Sequence, residues 1–379
     1  MNPTRILSRS IAALVILAPI AASAATLTIT AAGDPLNGGS GINPAWGAAA
    51  NWSGAVLPGV GDIAQITYAG ATRAGVDIRG SGFATNSTEV QGVSFAGAAA
   101  VEVDLENNST GSNMTLILNG GAGTVPLIQT GTYFTQILGH GVGATTTTTK
   151  TLTVQLKNSG EINVGTGGLT LSALMTEATA GKSITKTGAG RLTMSLAATD
   201  PNNAFTGGAT VSAGVLEVTA NGVLGTGAIV VNGGTLEVNI ASATLTNSSI
   251  AVNAGGQIAT RGAVTLNNAL TLNGGTLATR SADTGVFAGA INVTANSFAN
   301  LRSYTTPGNS QSFTISGLLS GSSSMTINGN DPQTNGLNKA LILTNTANTF
   351  SGAWNVSSAQ ILRSQPATTG RTIGAGAPS

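Results

Sequence analysis

The chain predicts an all-β fold, a single-stranded right-handed parallel β-helix with coils of about 20–22 residues. Three observations carry that expectation. A glycine recurs at Gly167, Gly190, Gly214, Gly234, Gly256 and Gly275, at intervals of 23, 24, 20, 22 and 19. Each glycine introduces the same short alternation, GGLTL, GRLTM, GVLEV, GTLEV, GQIAT and GTLAT. A second apolar set precedes them, with Val211, Val231, Val252 and Leu272 at intervals of 20, 21 and 20. A period of that length marks a solenoid, in which one repeat cannot bury its apolar face alone.

Residues 1–24 read as a signal peptide. Arg5 and Arg9 form a basic start, Ile11–Ala22 the apolar stretch, and Ala22-Ser23-Ala24 a small-x-small cleavage site. That apolar run falls short of the ~20 residues a membrane helix needs. Residues 25–160 are expected to hold a cap and irregular coils, with alternating runs at Val101–Leu105, Thr115–Leu118 and Thr151–Leu156. The Gly/Pro-rich stretch Gly33–Pro58 opens this region, and the Thr145–Thr149 tract punctuates it. Trp46 and Trp52 cover the open end of the first coil, or alternatively stack on a sugar ring.

Residues 161–280 form the regular repeat region. Positions two and four after each glycine, such as Leu216/Val218 and Leu236/Val238, face inward, and Glu217, Glu237, Ala259 and Ala278 lie between them. Asn232-Gly233 and Asn273-Gly274 supply the bends between strands. An Asn-Gly pair is also the signature of an antiparallel hairpin. Spacing near 20 rather than ~10 favours stacked parallel strands ~4.8 Å apart, with Leu216, Leu236, Ile258 and Leu277 in one interior column. In such a column Leu236→Ala costs about 2–5 kcal/mol, whereas Glu237→Gln, on the surface, costs under ~0.5. Residues 281–367 alternate again, at Phe313–Ile315, Met325–Ile327 and Leu341–Leu343, and 368–379 form a frayed tail. At ~22 residues per coil the mature chain holds roughly 16 coils, a rod of about 75 Å.

Composition excludes several functions. Only 8% of residues are charged, against roughly 25% in ordinary domains, and the net charge is +1, so nothing steers the chain to nucleic acid. The chain has no cysteine and therefore no disulfide or thiolate chemistry. Glu102, Asp104 and Glu106 alternate on one strand face and could hold Ca²⁺, although a solvated face is the plainer reading. Glu217 and Glu237 share a slot in successive coils and are expected to stack outward as a pair screened by water, with a weak cation site as the sharper alternative. His140 is alone and reads as a surface loop residue. Gly165–Gly168 and Gly188–Gly190 lack the Lys-Ser/Thr continuation of phosphate loops and read as turns. No catalytic, cofactor-binding or metal-ligating residue is assigned.

Segment 184–218, ITKTGAGRLTMSLAATDPNNAFTGGATVSAGVLEV, resembles the passenger-associated transport repeat, also called the autotransporter-associated β-strand repeat. Its K-x-G-x-G-x-L-x-L start is Lys186–Met194, its F-T-G centre Phe205–Gly207, and its V-x-x-G-x-L end Val211–Leu216. A degenerate second copy aligns Phe350–Ala353 and Val356–Ser358 at an offset of 145. Trp46, Asn51-Trp52, Pro58-Gly59 and Gly61-Asp62 are similar to the opening segment of such exported proteins. The resemblance implies a protein secreted by a diderm bacterium or held at its outer membrane or cell surface, with glycans or envelope components as partners. Residues 368–379 carry no translocator barrel strand, so a truncated passenger is one alternative. A polysaccharide lyase or hydrolase is another, with Asp77, Glu89 or Asp104 converging from distant coils. The leading expectation is a non-enzymatic structural or adhesive β-helix.

Overall fold

The computed structural model describes residues 24–31, 44–68, 74–78, 85–96, 103–107, 113–121, 126–131, 134–137, 152–196, 202–280, 285–301, 312–328, 340–356 and 361–364. Among them the strands pair in parallel ladders, and from Asp62–Thr67 onward each strand goes to a different sheet from the one before it. That connectivity is a parallel β-helix. Residues 1–23 of the expected leader, Glu102, His140, Thr145–Thr149 and the tail 368–379 lie outside the described residues.

Three faces wind around one core. The first long sheet runs from Ala25–Thr30 through Asp62–Thr67, Ile184–Thr187, Ala209–Val211 and Ile250–Asn253 to Leu319–Gly321. The second runs from Ala74–Asp77 through Arg191–Met194, Val215–Val218, Gly234–Val238 and Thr276–Thr279 to Trp354–Val356. The third face is divided. A four-stranded sheet from Ser87–Val90 to Leu174–Glu177 covers the early coils, and a six-stranded sheet from Ser242–Ala243 to Ile361–Ser364 the late ones.

Between those two sheets the third face has no regular strand among the described residues. Isolated backbone bonds, such as Ala204 N to Met175 O at 2.8 Å and Thr226 N to Phe205 O at 3.1 Å, join the coils there, with side chains adding to them. Phe205 is fully buried, and Asn203 accepts a hydrogen bond from Met175 N at 2.7 Å and donates to Val223 O at 2.7 Å. The amide thereby adds to the backbone bonds that Asn203 N and Ala204 N make to Gly222 O and Met175 O. Two residues after Phe205, a Cβ on Gly207 would sit 2.5 Å from Gly181 O. At the matching place in the second copy, a Cβ on Gly352 would sit 2.0 Å from Ser323 O. Glycine is required there because the chain passes against the coil below.

The interior columns match the expected register. Leu169, Leu192, Leu216, Leu236, Ile258 and Leu277 pair in succession, each 0–1% exposed. Val211, Val231, Val252 and Leu272 form the facing column on the first sheet. Like over like at ~4.8 Å gives each aliphatic chain the same neighbours above and below. Gly214 and Gly234 lead their strands with φ of 66° and 68°, the left-handed region that glycine adopts without strain. The hairpin alternative is not realised. The bend asparagines stack instead, Asn253 donating to Asn232 Oδ1 at 2.7 Å and Asn273 to Asn253 Oδ1 at 3.3 Å.

Coil length differs from expectation. The second sheet contains 12 strands among the described residues, not one for each of 16 coils. Register partners Val76, Leu105, Ile137 and Leu171 fall at intervals of 29, 32 and 34, and Ala299, Ile327 and Val356 at intervals of 28 and 29. Outside the regular region the strands keep their spacing while the connections lengthen, so each coil consumes more sequence without adding height. Trp46 and Trp52 are 0% and 3% exposed, with ring centroids 4.9 Å apart, and Trp52 Nε1 donates to Trp46 O at 2.7 Å. Trp46 N donates to Asp77 O, which places the pair over the first strand of the second sheet. They cap the core.

Candidate functional site

Two features of the outer surface stand apart from the surrounding Thr/Asn/Ser ladders. The first is a chain of charge along the second long sheet. Thr193, Glu217, Glu237, Ala259 and Ala278 are register partners in five successive coils, on the face opposite the leucine column. Arg261 and Arg280 each follow the last residue of their strands, Thr260 and Thr279, which are partners. Alanine at 259 and 278 leaves a trough, and arginine side chains lie back along it toward the glutamates.

The geometry is closely engaged. Arg191 Nη1 donates to Glu217 Oε2 at 3.0 Å and to Glu237 Oε1 at 2.7 Å. Arg280 Nη1 reaches Glu237 Oε1 at 2.7 Å, and Arg261 Nη1 donates to Glu217 Oε1. Asn239 and Thr193 add hydrogen bonds to Glu217 at 2.9 and 3.1 Å. Side-chain exposure is 5% for Glu217 and 0% for Glu237, against 27%, 38% and 22% for Arg191, Arg261 and Arg280. Burial alone would raise the Glu217 pKa, but the Arg191 and Arg261 charges outweigh it and hold the carboxyl below its ordinary value. Burial likewise opposes the charge on Arg191, and Glu237 and Glu217 overcome it, raising its pKa.

This corrects the reading of Glu217 and Glu237 as a water-screened, exposed pair. They do stack in register, but like charges that close are tolerable only with counter-charges between them. The arginines supply these from coils on both sides. The signal lay in the sequence: GQIAT and GTLAT are each followed by arginine, in the same slot of adjacent coils.

A second missed residue is Lys186. It pairs with Ile162 and Val211 in an interior column and is 0% exposed. Its Nζ donates to the carbonyls of Thr187, Gly188 and Ala213 at 2.6, 2.9 and 3.1 Å. Burial pushes its pKa down to about 8. The alternation Ile184, Lys186 already placed it inward, so the lysine of the K-x-G-x-G start fastens a corner from inside.

The second surface feature is a groove of about 260 Å³ beside the first long sheet, lined by Asn247–Ile250, Asn268–Thr271, Ala290–Asn292 and Ser320. Its polar groups are amides and hydroxyls, and no charged side chain lines it.

Of the other candidates, Asp77 and Glu89 lie on different sheets, and the backbone register sets Asp77 opposite Glu106 on the neighbouring strand. Asp77 is 0% exposed on the second long sheet, whereas Glu89 stands on the four-stranded sheet. Lys157 and Asn119 donate to Glu89 at 2.7 and 2.6 Å, and the bond from Lys157 is the main cause of its lowered pKa. Asp104 and Glu106 lie on strand Val103–Glu106, whose backbone is described, and Glu102 lies outside the described residues, so the three-carboxylate face is not described as a unit. Among the described residues no three His, Cys, Asp or Glu side chains group as a metal site would need.

No curated protein and no solved structure matches the chain. Residues 184–218 and 340–359 match the family model described as Passenger-associated-transport-repeat. The first match contains Lys186, the Arg191–Glu217 pair and the Phe205 corner, and the second contains Phe350 and Trp354, which pack at 5.0 Å. The molecule is thus a parallel β-helix carrying the passenger-associated transport repeat at two places along its length.

Proposed function

We propose that this is an exported bacterial β-helical protein of passenger type. Its outer faces serve structural or adhesive contacts at the cell surface or beyond, without catalysis. The observation that carries the reading is that the repeat match falls on the residues that lock coil to coil, Lys186, Arg191, Phe205 and Glu217. A repeat used this way builds length and rigidity. Much of the exposed surface is threonine, serine and asparagine arranged in ladders, which offers many neutral hydrogen-bonding groups. The basic start, apolar stretch and cleavage site in residues 1–24 support export, and the repeat supports a diderm host.

Expression in a diderm host, followed by cell fractionation and protease shaving, tests the reading. The expected result is processed chain in the medium or on the surface, released or cut by external protease. Chain retained in the cytoplasm with segment 1–24 still attached overturns it. The lyase alternative predicts new unsaturated product on incubation with polyuronates, and none is expected.

A further inference from the structure

We infer that the groove bounded by Asn247, Thr271, Asn292 and Ser320 is a binding subsite for a neutral glycan chain. The inference rests on the surface role proposed above and names its ligand class.

The groove exists because of a gap in a side-chain column. Ile250, Leu270, Ile291 and Leu319 pair in four successive coils, and the residues just before them are Ser249, Ala269, Ala290 and Leu318. Two alanines in the middle leave a depression, and the last member, Leu318, is 37% exposed beside it. One wall is the partnered set Thr271, Asn292 and Ser320, and the other is the turn residues Asn247, Ser248 and Asn268.

The chemistry selects the ligand. Seven lining residues are amides or hydroxyls, groups that both donate and accept, as sugar hydroxyls do. The alanine floor suits the C–H face of a sugar ring. With no lysine, arginine or acid in the lining, nothing there compensates a phosphate or a uronate. Peptide capture by strand addition is closed off along most of the groove, because the strands of Ile250, Leu270 and Ile291 are paired on both sides. Asn247, 8% exposed, spends its amide hydrogens on Leu224 O and Gly227 O at 3.0 and 2.8 Å, and its Oδ1 has no hydrogen-bond partner. Those two bonds hold that wall against the coil before it, so the groove is formed before a ligand enters.

Saturation-transfer NMR on the whole mature chain, with maltohexaose, chitohexaose, xylohexaose and hexagalacturonate as probes, tests the inference. Transfer to at least one neutral hexasaccharide is expected. Ala290→Phe, which fills the depression from an exposed turn, and Asn292→Ala should each weaken it at least fivefold while far-UV circular dichroism stays unchanged. No transfer to any neutral probe overturns the inference. So does undiminished transfer in Ala290→Phe, or transfer only to the uronate. Adsorption to isolated cell envelopes separates the two readings. If Ala290→Phe adsorbs as well as the original chain, the groove assignment fails and the surface role stands. If the original chain does not adsorb at all, the adhesive role itself fails.

Discussion

Lys186 carries an amine into a column of aliphatic side chains, and three backbone carbonyls hold it there. The unfolded lysine keeps its proton up to its ordinary 10.5, while the folded one releases it near 8. Between those values the unfolded state binds more protons, so stability rises with pH, by up to about 3 kcal/mol from this group. Urea titrations at pH 7 and pH 9.5 should therefore show a gain that is absent from Lys186→Met. A gain of equal size in both proteins would mean another group is responsible. Glu237 makes a similar case. Its sequence slot predicts a cost under ~0.5 kcal/mol for Glu237→Gln, but a carboxylate with 0% exposure between Arg191 and Arg280 revises that to about 2 kcal/mol. The comparison is by denaturation midpoint, and a shift equivalent to less than ~0.5 kcal/mol would return the residue to the surface class.

Among the elements, the pentapeptide strands are readable because each combines a lead glycine with strict alternation, and that alternation fixes which side faces the core. Leu216, Leu236, Ile258 and Leu277 fall where their spacing puts them. Leu236→Ala is expected to lower stability by about 2–5 kcal/mol, measured by guanidinium unfolding, and a loss comparable to that of a surface change would refute its place in the column. The third face is readable only in part: the expected runs at Thr115–Leu118, Thr151–Leu156, Phe313–Ile315 and Leu341–Leu343 fall on its two sheets, whereas the strands between them do not show. Ser242–Ala243 and Thr265–Leu266 are two residues long, too short to show a period. The Phe205 corner has no period at all, being held by Asn203 and by the close approach at Gly207. Gly207→Ala should cost more than about 1 kcal/mol, since the backbone of the coil below must move. A neutral result in thermal melts would mean that the approach leaves room for a methyl group. Register across coils explains why the arginines escape notice. Arg261 and Arg280 lie just outside the five-residue unit and meet their acids two coils away.

For the whole molecule, scarcity of charge concentrates pH sensitivity in a few acids. Glu89, Glu177 and Glu217 each sit below their ordinary 4.5, Glu177 because bonds from Thr206 and the Lys182 N–H outweigh its desolvation. A carboxyl lowered on folding contributes stability that is complete above 4.5 and is lost as pH falls through its folded value. The guanidinium midpoint should accordingly drop between pH 6 and pH 3, and Glu217→Gln should reduce the drop. An equal drop in that variant would assign the effect elsewhere. The number of coils escapes the sequence at the same scale, because only the strands obey the period. Connections outside 161–280 lengthen each turn, as the wider intervals between register partners record, without altering the stack.

The brace from Arg191 to Arg280 also sets how the rod responds to being pulled. A plain solenoid peels from its ends one coil at a time, each neighbour interface yielding separately. Here five consecutive coils share one set of ion pairs, so loosening any of them exposes buried charge in the rest. Under tension the ends should unwind in small steps, and this middle stretch should then give way in a single rupture, releasing about 300 Å of slack.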